Sequence, residues 1–432
     1  MHGILEFLLN KKILNILIYF LVLFALKGAS FILIPLYTAT FTTSEYGTIE
    51  LANSIVSFMS IIVGMGLCQY LGIEYFHYLE EEREKAILTN IKLYLIIAIS
   101  ISVVMLIAIL LNIIRIDGLS KNMMVLIVFV SFMAYFSNLC LMLCKNQQKT
   151  TMMTILQFTT GVVTLLMNYC GVCLWGWGIY STLITTIISH MVLALAIPKV
   201  YKFYTKLSNI NINLYEMKRI LIISIPLALT GLINCILIIC DRWFLNYYCS
   251  TSEIGIYSIA TKFAGIYELV VVHTLTIFYS PIVYKSFQNI GIVKYETKNR
   301  KRLYIYFLAS MIAILCFLFL VTLIYPILIN SRYNDSLKYI WIILVGEMFL
   351  GATYFRTYLI NYEKKTKCIL LIIVVGTIFN VVMNIIFIPY FQIYAAAVTT
   401  ATSQILMFLI ATVINRIEYQ KLCVKIVKNV EK

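Results

Sequence analysis

Charge is scarce in this chain: Asp, Glu, Lys and Arg make up 12% of its residues, about half the share of a water-soluble domain. Proline is scarce too, six in 432 residues. Pro35, Pro198, Pro281 and Pro389 fall near the ends of apolar runs, while Pro226 and Pro326 fall inside them, where neighbouring helices can satisfy the freed carbonyls and a kink is expected. With four His and 19 acids, no Walker loop, HExxH or nucleophile–base pair can be assembled. A catalytic site of the soluble type is therefore not expected. The 11 Cys lie almost entirely within apolar runs. Cys140/Cys144 and Cys170/Cys173 have metal-like spacing but no His nearby, so they read as small buried side chains rather than zinc ligands or disulfides.

Hydrophobic residues are abundant, at 62%, and the mean hydropathy is +0.92. Twelve apolar runs are long enough to cross a bilayer: 13–37, 47–72, 91–114, 122–144, 151–173, 177–198, 220–247, 254–284, 303–330, 338–361, 368–390 and 393–414. Runs of this length are helices, because open sheet edges cannot sit in lipid. The first is too long for a cleaved signal peptide and lacks an Ala-x-Ala end.

The net charge of +15 orients the chain. With the N-terminus inside, the outer segments hold only Arg115, Lys121, Arg332 and Lys338. The inner segments hold most of the rest, as the positive-inside rule requires. Both termini are then cytoplasmic, and nucleic acid is not an expected partner. Trp175, Trp177, Trp243 and Trp341 fall at outer helix ends, as an interfacial belt or as part of an outer recognition site. Residues 3–9 and the basic tail after Asn415 read as interfacial segments.

The chain repeats itself. Ile179-Tyr180-x4-Thr185-Thr186-x2-Ser189 returns as Ile393-Tyr394-x4-Thr399-Thr400-x2-Ser403. Thr43-Ser44-Glu45-x-Gly47 returns as Thr251-Ser252-Glu253-x-Gly255. Two echoes in the same order and at nearly the same separation indicate a duplicated half of about 210 residues. Six helices per half make the repeats parallel, with a cleft expected between them. The predicted organisation is an all-α polytopic membrane protein with an N-terminal six-helix lobe (1–205) and a C-terminal six-helix lobe (206–432). Residues 199–219 form the natural hinge.

Ionisable groups at bilayer depth usually face a bundle interior or an aqueous cavity. Lys27 lies about 15 Å from the outer end of its run, near the midplane. It either holds an anionic headgroup as a point charge or pairs with an acid on another helix. Lys262 has the same two readings. It shares a face with His273, eleven residues on. Arg242 and Arg356 are further cationic candidates, and Arg356 lies close enough to the inner end to snorkel. Glu268, Glu347 and His273 are candidates for carrying a proton, or for structural pairing. His190 follows the first copy of the repeat and Gln404 takes its place in the second, which favours an interhelical polar contact. Asp241, Asn384 and Thr400 fall at similar depth, with Asn380 one turn further in. A carboxylate, two amides and a hydroxyl are hard oxygen donors suited to a cation such as sodium. Amide-mediated helix packing is the other reading.

The stretch Asp241-Arg242-Trp243-Phe244-Leu245, followed by Ser252-Glu253-Ile254-Gly255-Ile256-Tyr257-Ser258, resembles a signature of bacterial polysaccharide flippases of the Wzx type. Pro35-Leu36 and Tyr46-Gly47 resemble that family's first-helix exit. The resemblance implies the fold of the multidrug/oligosaccharidyl-lipid/polysaccharide exporter superfamily. It implies transfer of an undecaprenyl-diphosphate-linked oligosaccharide, such as an O-antigen or capsule repeat unit, from the inner to the outer leaflet of the cytoplasmic membrane. It further implies basic residues lining the cleft, a role that suits Lys27 and Lys262. It implies sodium near helices seven, eleven and twelve, a role that suits Asp241, Asn380, Asn384 and Thr400. Membrane lipid, and a polysaccharide polymerase with its chain-length regulator, are the implied partners. No cofactor is expected beyond a coupling sodium ion or proton. The intrahelical acids equal the intrahelical Lys and Arg in number, a departure from a strongly cationic cavity. No counterpart of the lipid II flippase's two additional C-terminal helices is visible, which disfavours a peptidoglycan precursor. A cation-coupled drug exporter of the same fold is the alternative. A polymerase or ligase of the same sugar lipid is opposed by the short outer loops.

Overall fold

A computed structural model describes residues 31–204, 207, 214–290 and 292–430. Among these residues there is no strand. The helices in chain order are α1 (Phe31–Thr40), α2 (Thr43–Gly64), α3 (Leu67–Glu74), α4 (Glu80–Leu110), α5 (Lys121–Asn146), α6 (Thr150–Tyr169), α7 (Ser181–Val200), α8 (Leu214–Tyr248), α9 (Thr251–Tyr267), α10 (Thr274–Ile290), α11 (Ile292–Leu328), α12 (Leu337–Tyr362) and α13 (Thr366–Val430).

Ten helices among the described residues are long and apolar enough to cross a membrane. This count meets the twelve runs in two places. Helix α1 is the described end of the first run. Helix α13 is two spans joined at Gln392, whose φ of 52° and ψ of −129° break the helix. Pro389 sits one turn before that break. Thr399 Oγ1 donates to Asn384 Oδ1, although a straight helix would separate residues fifteen apart by about 22 Å. The two arms of α13 therefore lie side by side.

The helices form two compact units. Among the described residues, one lies within Met1–Phe41 and Thr48–Cys235, the other within Thr42–Gly47 and Ile236–Lys432. The later passage of the chain between the units falls inside α8. In the first unit, Gly66 at φ 70° starts α3. A Cβ there would overlap the Ser224 carbonyl and lie 2.9 Å from the Ala228 nitrogen. Gly66→Ala is expected to destabilise by about 1–3 kcal/mol through backbone strain, read as a lower thermal unfolding midpoint in detergent.

The duplication is visible in matching polar pairs. In the first unit, Ser137 of α5 and His190 Nδ1 of α7 are 2.6 Å apart. In the second, Gln404 Nε2 of α13 donates to Glu347 Oε1 of α12 at 3.2 Å. Each pair joins the fourth apolar run of its half to the sixth. His190 is an interhelical contact, as its exchange for Gln404 suggested.

Candidate functional site

Four of the polar residues singled out in the sequence meet in the second unit. Helix α8 supplies Asp241, the first arm of α13 supplies Asn380 and Asn384, and the second arm supplies Thr400. All but Thr400 are buried, with Asp241 at 2% exposure and both asparagines at 0%. Asp241 Oδ1 accepts from Asn384 Nδ2 at 2.6 Å. Its Oδ2 accepts from Thr400 Oγ1 at 2.7 Å. Asn384 Nδ2 also donates to Asn380 Oδ1 at 3.1 Å.

Three further side chains complete the cluster. Tyr257 on α9 donates its hydroxyl to Asp241 Oδ2 at 2.6 Å. Thr399 holds the oxygen of Asn384, and the Cys240 thiol donates to Asn380 Oδ1 at 3.1 Å. Sequence reasoning missed these three as members of the site. The signals were present, since Thr399 belongs to the repeated Thr-Thr pair and Tyr257 to the Gly255-Ile-Tyr257-Ser258 stretch. Burying a carboxylate is expensive unless its oxygens are bonded, and three short bonds to Asp241 meet that demand.

The donor set suits a small, hard, singly charged cation. One carboxylate balances one charge, and the oxygens of Asn380, Asn384, Thr400 and Tyr257 are neutral and hard. Asn380 Nδ2 is buried with no hydrogen-bond partner among the described residues. A buried orphan donor is uncommon, so this network is not closed as it stands. In the first unit, Tyr37 donates to Asn168 Oδ1 at 2.7 Å and Thr164 meets Ser189 at 2.8 Å. In the second unit the corresponding bonds centre on a carboxylate, that of Asp241.

The proton-carrying candidates divide into two places. Glu268 and His273 form a pair, with Glu268 Oε1 at 3.1 Å from His273 Nε2. Five residues apart, they would lie on different faces of an α-helix. A π-helical turn spans Glu268–His273, and its wider winding brings them together. Glu347 is the partner of Gln404 instead.

The cationic candidates have different neighbours. Lys262 Nζ lies 5.3 Å from the centroid of the Tyr46 ring, a cation–π distance. Arg242 donates to the Ile238 carbonyl and to Thr261 Oγ1, both at 3.3 Å. Arg356 is half-buried on α12. Lys27 lies outside the described residues. A cavity of about 370 Å³ opens between the arms of α13, lined by Phe379, Met383, Phe387, Phe391, Tyr394 and Thr399 among others. Its apolar lining suits hydrocarbon and not a phosphate or a sugar.

The two copies of the Thr/Ser-Gly motif lie against each other within the second unit. Thr43 meets Ser252 and Ser44 meets Thr251, each at 2.7 Å. Gly47 and Gly255 face each other's backbone. A Cβ on Gly47 would overlap the Thr251 carbonyl, and one on Gly255 would overlap the Thr43 carbonyl. The Tyr333 hydroxyl donates to the Thr42 carbonyl at 3.0 Å and stands edge-on to Tyr46.

Comparison with known proteins gives the chain its family. A family described as polysaccharide biosynthesis protein matches residues 13–285. The capsular polysaccharide biosynthesis protein CapF of Staphylococcus aureus is 23% identical over 213 residues, 47% of this chain and 51% of that protein. The chain thus spans about half the length of that curated relative. Among solved structures, the lipid II flippase MurJ in an inward closed conformation superposes with a TM-score of 0.75 at 15% identity, covering 94% of this chain and 89% of that one. An inward-facing multidrug resistance MATE family transporter of the MOP superfamily superposes at 0.73 and 12% identity, covering 93% and 98%. These superpositions establish a shared fold. The chain is an all-α, multi-pass membrane protein with the MATE-like exporter fold, and it belongs to the polysaccharide biosynthesis protein family.

Proposed function

We propose that this protein is a flippase that carries an undecaprenyl-diphosphate-linked oligosaccharide from the inner to the outer leaflet of the bacterial cytoplasmic membrane by alternating access. The observation that carries this reading is the family match over residues 13–285, on a fold shared with a lipid II flippase. The substrate has three chemically distinct parts. Its diphosphate needs cations, which Lys27 and Lys262 offer as point charges. Arg242 and Arg356 are secondary candidates. Its sugars need a hydrated path, and its polyprenyl tail remains in lipid.

Asp241, Asn380, Asn384 and Thr400 would hold the coupling ion, with Tyr257 and Thr399 fixing the carboxylate and an amide. A sodium ion bound there supplies one positive charge against the buried carboxylate. The Asn384 amide donates to Asp241 while Thr399 holds its oxygen. Conformations shift only through differential affinity, so the Asp241 set must differ between the two access states. The pair Glu268–His273 and the Glu347 carboxyl are the sites for a proton in the same cycle.

Deletion of the gene, followed by analysis of membrane lipids, tests the reading. Sugar-loaded polyprenyl diphosphate is expected to accumulate on the cytoplasmic leaflet. The wild-type gene should clear it, and a Lys27→Glu, Lys262→Glu variant should not. Normal surface glycan with new sensitivity to cationic dyes would instead support a drug exporter of this fold.

A further inference from the structure

We propose that Tyr257 is a positioning residue that ties the Asp241 site to the crossing of the two Thr/Ser-Gly motifs; this rests on the cation reading of that site. Helix α9 carries both features. Its first turn makes the crossing, through Thr251 and Ser252 to Ser44 and Thr43 and through Gly255 against Gly47. Two residues further on, Tyr257 reaches Asp241 Oδ2 at 2.6 Å. The axial step from Gly255 to Tyr257 is about 3 Å, within one hydrogen-bonded turn, so the two features move together.

The crossing has no slack. Either glycine, given one methyl group, would overlap a backbone carbonyl of the opposite copy. Displacement of α9 by a fraction of an ångström is therefore felt there. The far end of the link is equally definite. Tyr257 is 1% exposed and its hydroxyl lies 3.4 Å from Thr400 Oγ1. Three side chains make short bonds to Asp241, namely Tyr257, Thr400 and Asn384. Of these, Tyr257 alone sits on the helix that makes the crossing.

A second grip reinforces the first. Arg242, next to Asp241 on α8, donates Nη2 to Thr261 Oγ1 at 3.3 Å. Tyr257 and Thr261 are four apart, on one face of α9. The adjacent Asp241 and Arg242 thus hold α9 at two successive turns. When Asp241 Oδ2 is engaged by a cation, the Tyr257 hydroxyl must share or release it. The aromatic ring then shifts α9 relative to α8, and the crossing follows. The Asp-Arg pair and the Gly-x-Tyr-Ser stretch are, on this account, two ends of one lever.

The test uses the full-length protein in liposomes, with Ser44→Cys and Thr251→Cys introduced together and their disulfide read by peptide mapping. Equilibrium binding of radioactive sodium is measured in parallel. In the otherwise unaltered chain, saturating sodium is expected to change the cross-linking rate at least threefold relative to choline. With Tyr257→Phe, sodium should still bind, weakened by no more than about tenfold as for loss of one hydroxyl bond. Its effect on cross-linking should vanish. Thr400→Val should weaken binding but keep the cross-linking response. Thr261→Val, which loosens the second grip, should reduce that response and serves as the independent variant should Tyr257→Phe fail to fold. A full sodium response in Tyr257→Phe would overturn the proposal, as would a chain that binds sodium with no effect on cross-linking. Absence of sodium binding in the unaltered chain would instead remove the cation reading on which the lever depends.

Discussion

Asp241→Asn is expected to leave a folded protein that no longer responds to sodium. A ligand that binds only the folded state stabilises it by about 2.7 kcal/mol at a hundredfold excess over Kd. That increment should appear as a higher unfolding midpoint of the wild type in sodium than in choline, and it should be absent from the variant. In choline the order can reverse. The wild type keeps a buried carboxylate at 2% exposure, whose desolvation opposes folding; the amide does not carry that penalty. Transport driven by a sodium gradient should fall at least tenfold in Asp241→Asn. Thr399→Val, which removes the support of the Asn384 oxygen, should give a smaller loss of the same kind. A sodium-dependent midpoint that survives in Asp241→Asn would remove the site from the coupling cycle.

Gly47→Ala is the second substitution with a large expected effect. Its Cβ would overlap the Thr251 carbonyl and lie 2.9 Å from the Gly255 nitrogen. These are backbone atoms, which cannot rotate away. Separation of the two copies, at a destabilisation of about 1–3 kcal/mol, is the expected response. Gly255→Ala meets the Thr43 carbonyl in the same way and should behave alike. Gly265→Ala is the control, because nothing lies within 4 Å of its added methyl. Helix propensity alone would make that change favourable by up to about 1 kcal/mol. Unfolding midpoints and flipping rates of the three variants decide the matter. Equal behaviour of Gly47→Ala and Gly265→Ala would show that the crossing tolerates separation.

Much of this fold was legible because lipid imposes simple rules. Long apolar runs and few charges leave helices as the one solution. The duplication was legible in a handful of identities, and the structure gives those identities work. The Thr43 and Thr251 motifs pack on each other, and His190 and Gln404 occupy matching places in the two halves. Depth along a helix also sufficed to gather Asp241, Asn380, Asn384 and Thr400, because 1.5 Å of rise per residue is a dependable ruler.

What the ruler omits is winding and direction. Glu268 and His273 fall on different faces of an α-helix, and a single π-helical turn makes them a pair. No composition or spacing signals that extra residue. The ring of Tyr46 over Lys262 joins residues more than two hundred positions apart, so a charge read as awaiting phosphate already has an aromatic neighbour. Tyr257 was overlooked for another reason. A tyrosine in an apolar run counts as hydrophobic, whereas its function here is carried by one hydroxyl.

The proposed activity is the movement of a sugar-loaded polyprenyl diphosphate across a bilayer. The most direct measurement places the purified protein in liposomes with a fluorescent undecaprenyl-diphosphate oligosaccharide and follows the fraction protected from an impermeant quencher. Under an imposed sodium gradient, the account predicts protein-dependent transfer between leaflets that is abolished by Asp241→Asn. Transfer no faster than in protein-free liposomes, with the substrate and gradient both verified, would contradict it.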